Sequence, residues 1–295
     1  MNPLAAKNER LTLLPDKSST LEKHQPSALE PRPWTSEKWC EYFQENDRRF
    51  SNIPWEAGVT IDKDERQAIA SSIREFQAGE NSEGNHLTQK SAEHARQVGD
   101  FAYVRAIRFL IGEEQRHARD LGRFMIAARI PLVETTSVDV IFRRLRQLAG
   151  LEIMVAVLVT AEIIAQVYYH ALRDATHAAA LRKICERILR DEVFHVRFQC
   201  ERLAILRAQR PNSALALTHG FQRLLFLGAL LLVGVKHAPT RRRGGFSFTR
   251  WWSVGWHKYE RARRIMDPRQ YPGLQTNLSV ETAGEKRHAF APQNP

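Results

Sequence analysis

The sequence predicts an all-α protein: a four-helix bundle in two helix pairs joined by one long connection, with flanking N- and C-terminal helices. Three observations predict it. Apolar residues recur at alternating spacings of three and four over long stretches, which lines them along one face of a helix. No stretch alternates apolar and polar residues as a half-buried strand does, and no repeat of solenoid length is present. The helical stretches fall into two pairs separated by a connection of roughly twenty residues, the order of a bundle with one crossover.

Each element has its own signal. Residues 1–33 are polar, contain proline and lack periodicity, so they read as a disordered segment. Thr35-Ser36 opens a short helix over 35–48 that carries Trp39 and Phe43, and a linker runs on to 62. Asp62 followed by Glu65 reads as a capping box and starts the bundle, assigned to 63–240. The first bundle helix carries Ile69, Ile73, Phe76, Glu80, Glu83 and Leu87 on one stripe, and Gly99-Asp100 supplies a stop and a new cap. The second carries Val104, Ile107, Ile111, Glu114, Ala118, Leu121 and Met125, and Pro131 ends it. A short helix is expected at 138–148 within the connection. The third helix, 151–173, is apolar on all sides and is therefore expected to be buried. The fourth, 177–208, places Leu181, Ile184, Ile188, Glu192 and His195 on one face, and Pro211 stops it. A fifth apolar helix, 214–236, is expected to pack beside or under the bundle. A basic Trp/Arg-rich segment, 241–270, and a flexible tail, 271–295, complete the chain.

Composition narrows the class. The 295 residues suffice for one sizeable domain with tails. Cys40, Cys185 and Cys200 are too few for a disulfide framework, and no Cys-x-x-Cys exists for a rubredoxin-like or zinc-ribbon module. Residues 1–20 hold no apolar run suited to a signal peptide, so a cytoplasmic location is expected. The formal net charge is +11, and 241–269 holds nine Lys/Arg against Glu260 and Asp267. There Arg241-Arg242-Arg243 and the tryptophans Trp251, Trp252 and Trp256 combine charge with indoles. That mixture suits peripheral contact with an anionic membrane at its inner face, more than nucleic acid. The plainer expectation is tryptophans packed on the bundle and solvated arginines. The run Leu224–Val235 is too short to span a bilayer.

The chemistry sits in two tetrapeptides. Glu114-Gln115-Arg116-His117 and Glu192-Val193-Phe194-His195 both read Glu-x-x-His, so carboxylate and imidazole leave the same face of a helix. Two such motifs, with one more Glu from each of two other helices, are how a four-helix bundle holds two iron or manganese ions. A chain of this composition contains roughly one Glu-x-x-His by chance, and a third, Glu83-Gly84-Asn85-His86, is read as accidental. The missing carboxylates lie on apolar stripes. Glu162 is the one acid within the apolar stretch 153–172, where an ionised carboxylate is costly unless paired or metal-bound. Glu80 and Glu83 both fall on the first helix's stripe; Glu80 is favoured, with Glu83 an additional or alternative ligand. Glu80 precedes Glu114 by 34 residues and Glu162 precedes Glu192 by 30, offsets that bring helix midpoints level. Carboxylates with imidazoles suit iron or manganese more than zinc. The acids before each motif, Glu113 and Asp191, are positioned to accept the other imidazole N–H, or else to pair with arginines such as Arg116. Gln166, one turn from Glu162, is a candidate for orienting a ligand. Tyr169, on the same face as Glu162, is a redox candidate, though plain core packing with a satisfied hydroxyl is the simpler reading.

Ala78-Gly79-Glu80, Glu113-Glu114-Gln115-Arg116-His117-Ala118-Arg119 and Asp191-Glu192-Val193-Phe194-His195 together resemble the ferritin-like di-iron carboxylate superfamily. The flavour is closest to rubrerythrin-type and bacterial di-iron oxygenase-type members, and the resemblance covers about residues 64–208. It implies a ferritin-like four-helix bundle with one long crossover and a non-haem di-iron centre, manganese being possible in its place. By matching position it implies the ligands Glu80, Glu114, His117, Glu162, Glu192 and His195. Three behaviours then compete. The favoured one is an oxidase or oxygenase using dioxygen, a small organic substrate and an external electron donor. The second is ferroxidase or peroxidase activity. The third is a non-catalytic bundle that binds a membrane surface or nucleic acid through its basic segment.

Overall fold

The computed structural model describes residues 32–49, 52–81, 84–133, 150–271 and 273–274, and among these the regular structure is entirely helical. The expected helix at 138–148, the terminal segments and Glu83 lie outside the described residues.

Helix α1 spans Ser36–Arg48, with the Thr35 hydroxyl accepting from the Lys38 amide at its start. Helix α2 spans Lys63–Glu80, capped by Asp62, whose carboxylate accepts from the Glu65 amide. Such side-chain caps are each worth about 1 kcal/mol because they satisfy amides the helix leaves unpaired. The stripe through Glu80, Glu83 and Leu87 does not continue as one helix. The chain breaks after Asn81 and resumes as α3, Asn85–Val98. The physical reason is Gly84, which sits at φ 64° in the left-handed region. A Cβ there would stand 2.6 Å from Cγ1 of Ile111. Gly99, at φ 78°, ends α3, and Asp100 caps α4, Phe101–Ala127, by accepting from the Tyr103 amide. Arg129 at φ 56° turns the chain away ahead of Pro131.

Helix α5, Leu151–Ala175, is buried on nearly every side, as an all-round apolar helix must be. A short connection at 176–178 leads into α6, Ala179–Arg207. The four helices α2, α4, α6 and α5 form a closed ring of neighbours in that order, each packed on the next. Their shared interior holds both Glu-x-x-His motifs. Helix α1 lies against α4, with Trp39, Phe43, Tyr103 and Phe198 packed ring on ring.

The C-terminal helices cover the outer side of α5 and α6. They are α7, Asn212–Lys236; α8, Ala238–Arg243; and α9, Phe248–Ile265. Arg207, fully buried on α6, ties this layer down through Glu152 at 3.0 Å and Gln222 of α7 at 2.9 Å. The Trp251 indole donates to the Leu230 carbonyl at 3.0 Å and fills the space above Gly234. The basic segment is thus partly absorbed into the fold. Trp251 and Arg241 are buried, Arg241 donates to the Gly234 and Phe246 carbonyls, and Arg243 donates to the Ala175 carbonyl. The three cysteines are buried and unpaired. By length and composition, α5 and α7 are each apolar enough to cross a membrane; 72% of the α5 window is buried in the fold but only 28% of the α7 window.

Candidate metal centre

The interior of the ring collects six side chains from four helices. Glu80 comes from the last turn of α2, Glu114 and His117 from α4, Glu162 from the middle of α5, and Glu192 and His195 from α6. They form two groups that could each hold a metal ion. One is Glu80, Glu114, His117 and Glu192; the other is Glu114, Glu162, Glu192 and His195, and within each group the ligand atoms lie within 4.8 Å of one another. Glu114 and Glu192 belong to both groups, so they stand between two adjacent positions. His86 belongs to neither.

The donor atoms face one another across the centre of the ring. Glu80 Oε2, Glu114 Oε1, both Glu192 oxygens, His117 Nδ1 and His195 Nδ1 are buried without a hydrogen-bond partner. His195 Nδ1 and Glu114 Oε1 are 2.7 Å apart but lack the angle of a hydrogen bond. His117 Nδ1 stands 3.7 Å from Glu80 Oε2. Buried polar atoms are rarely left unpaired, and six of them around one spot make a donor set that could hold a metal ion. The donor set of four carboxylates and two imidazoles fits hard or borderline divalent ions, iron and manganese among them.

The far side of each imidazole is held crosswise. The Asp191 carboxylate of α6 takes His117 Nε2 of α4 at 3.0 Å, and Glu113 of α4 takes His195 Nε2 of α6 at 2.8 Å. Each acid therefore orients the histidine of the opposite motif and leaves Nδ1 facing the centre. This is how ligating histidines are generally fixed. Arg116 also reaches both acids, 3.2 Å from Glu113 and 3.7 Å from Asp191. Asn46 of α1 donates to Glu113 at 2.6 Å and to Asp191 at 3.1 Å, bridging the two.

Other neighbours hold the carboxylates. The Tyr169 hydroxyl donates to Glu80 Oε1 at 2.6 Å, so this tyrosine touches Glu80 of α2 rather than Glu162 of its own helix. Gln199 donates to Glu162 at 3.1 Å. Gln166 donates to the Glu192 backbone carbonyl at 3.0 Å, and its own oxygen accepts from Lys258 of α9 at 2.8 Å.

The electrostatics of the cluster favour positive charge at its centre. Burial, then the charges of Glu162 and a further carboxylate of the cluster, push both Glu114 and Glu192 well above the ordinary carboxylate range. Burial opposes charge on Glu80 too, but the nearby His117 imidazole, the neighbouring Glu114 and the Tyr169 hydroxyl outweigh it and hold Glu80 down at about 2. Burial disfavours a charged His117, yet Asp191, Glu80 and Glu114 overcome it and raise the imidazole to about 10. His195 is raised likewise against burial, by Glu113 and Glu114. The carboxylates thus favour positive charge at both imidazoles against the cost of burying it. A cation at Nδ1 would take over that role and displace the protons.

All six residues expected as ligands from the motifs and apolar stripes meet in this cluster. Asn46, Gln199 and Lys258 join the site without belonging to either motif. Asn46 and Gln199 had a signal: each is a polar residue on an otherwise buried stripe, one turn beyond Phe43 and His195 respectively. No family model matches the chain, and no curated protein or solved structure matches it either.

Proposed function

We propose that the chain is a ferritin-like bundle holding a non-haem di-iron centre, with manganese as an alternative occupant. We further propose that it works as an oxidase or oxygenase on a small organic substrate. The observation that carries this reading is the sharing of Glu114 and Glu192 between two adjacent ligand groups. Glu80 and His117 would complete one position, and Glu162 and His195 the other. Four carboxylates offset the charge of two divalent ions, the balance that makes a buried acidic cluster tolerable. Two iron ions bound there would supply redox chemistry with dioxygen.

The chain's own residues do the rest. Glu113, Asp191 and Asn46 hold both imidazoles in one orientation. Tyr169, pushed well above its ordinary value by burial and the Glu80 charge, keeps its proton and donates it in the hydrogen bond to Glu80. The Glu114 side chain is 18% exposed while His117, His195 and Glu192 are at 0%, so the centre is closed from solvent apart from the outer edge of Glu114 and small parts of Glu80 and Glu162. An open groove of about 510 Å³ lies on α2 and α4, lined by Gln77, Asn81, Ala118, Gly122, Ile126 and Leu132 and by none of the six candidate ligands. Asn81 and Ala118 adjoin Glu80 and His117 in the chain, and Arg119 and Arg123 border the groove. We take this groove, whose lining adjoins Glu80 and His117 in the chain, as room for an organic substrate, which a ferroxidase or peroxidase acting on iron(II) or peroxide would not need. Electrons would come from an external donor.

Oxygen consumption separates these readings. With iron-loaded protein, uptake that requires both a reductant and an organic compound supports the oxygenase. Uptake that follows added iron(II) alone supports the ferroxidase. Neither would occur in a bundle that only binds a membrane or nucleic acid.

A further inference from the structure

Helix α7 carries a face that the described residues leave open. Leu217, Phe221, Leu224, Leu231, Leu232 and Val235 are between 46% and 77% exposed. With Gly228, five of them follow the spacing 4, 3, 4, 3, 4, so they form one straight stripe about 27 Å long. The opposite face is committed to the fold: Leu215, Gln222, Phe226, Leu230 and Val233 are buried. A monomer rarely leaves so long a run of large apolar side chains in water.

The charges around the stripe say what covers it. Residues 212–269 hold eleven Lys/Arg against Glu260 and Asp267, a balance of +9 out of the chain's +11. Helix α7 itself contains no acid. Arg223, Arg242 and Arg250 are exposed, and Arg223 lies over the ring of Trp256 at 4.8 Å. Trp252 and Trp256 are half-buried at the α9 side, and Phe248 is exposed there. An apolar stripe bordered by indoles and arginines is the composition of a helix seated in a lipid headgroup region. A second copy would set the arginines beside one stripe against those beside the other, and α7 itself supplies no acid to pair across such a seam, Glu75 being already paired with Lys236.

We propose that α7 lies flat in the surface of an anionic bilayer, with Arg223, Arg242 and Arg250 reaching lipid phosphates. The contact is made by the outward face of α7, with the half-exposed part of α9 as its border. Trp251, Arg241 and Arg243 take no part, being used inside the fold. The proposal is independent of what the metal centre does.

Co-sedimentation of the full chain with vesicles tests it. The probes are phosphatidylcholine alone and phosphatidylcholine containing about one-third phosphatidylglycerol. The expected result is binding at least about tenfold tighter to the anionic vesicles, weakened as salt is raised. The double variant Leu224→Glu, Leu231→Glu should lose binding while keeping the parent's circular dichroism and melting temperature, because both side chains are exposed. Arg223→Glu with Arg250→Glu should lose about tenfold on anionic vesicles and little on neutral ones. Absence of binding overturns the proposal, as does undiminished binding by the leucine variant. A dimer in light scattering that the leucine variant splits, without vesicle binding, assigns the face to a second copy instead. A large drop in melting temperature in that variant assigns it to another part of the same chain.

Discussion

Glu113 and Asp191 each sit beside one motif and serve the other, so their loss should be felt across the centre. Asp191→Asn and Glu113→Gln should each weaken metal binding by about 10–100-fold while leaving the helices intact. Competition with a chelator of known affinity measures this. A variant that binds metal as tightly as the parent would remove these acids from the account. Asn46→Ala should produce a smaller loss in the same assay, since it leaves both acids in place without their bridge. Much of the site could be read from single residues. Glu162 stands out because nothing else charged shares its apolar stretch, and the two motifs announce themselves by spacing. The crosswise pairing could not be read, because it depends on which imidazole faces which acid across two helices. Periodicity places residues on a face but not opposite one another. Asn46 carries the same kind of signal as Glu162, a polar group on an apolar stripe, but a weak one, because amides are ordinary on helices.

At the scale of the element, the starts and stops were written plainly. Thr35, Asp62 and Asp100 cap where their side chains allow, Gly99 ends α3 through its left-handed backbone, and α4 ends at Ala127 ahead of Pro131, with Arg129 making the turn. The break after Glu80 was hidden, because Glu83 and Leu87 continue the 3-and-4 spacing across it by coincidence. Gly84 is what makes the break, and Gly84→Ala should cost about 1–3 kcal/mol in chemical denaturation, from a strained φ and contact with Ile111. A neutral outcome would mean the turn can relax. Helix α5 makes a pH prediction. Burial, then the charges of Lys258 and Arg173, depress His170 to about 3. The folded state therefore keeps His170 neutral while the unfolded chain, with an ordinary value near 6.5, takes up a proton. Stability from this group is full above pH 6.5 and falls as pH drops toward 3. His170→Asn should remove about 1–2 kcal/mol of the destabilisation between pH 7 and pH 5, read from denaturation at both values. A parent and variant with identical pH dependence would contradict it.

On the scale of the whole molecule, the ring of α2, α4, α6 and α5 is built around an acidic cluster that folding alone does not satisfy. Apolar packing, with α5 buried nearly all round, must carry the cost of holding four carboxylates together. Metal should therefore stabilise the fold strongly. Removal by a chelator should lower the melting temperature, and re-addition of iron(II) should restore it by mass action. Glu114→Ala with Glu192→Ala should abolish that response, since both groups share these residues. The outer layer was less legible. Helix α7 is apolar on almost every face, so its composition does not say which side packs inward, and the tryptophans of α9 divide between burial and surface only once α7 is in place.

The central claim is that two metal ions share Glu114 and Glu192, and anomalous diffraction at the iron edge tests it most directly. Crystals grown with iron(II) should show two peaks about 3.5–4 Å apart. One should lie beside Glu80 and His117 and the other beside Glu162 and His195, with Glu114 and Glu192 between them. A single peak, or none at this cluster, would contradict the account.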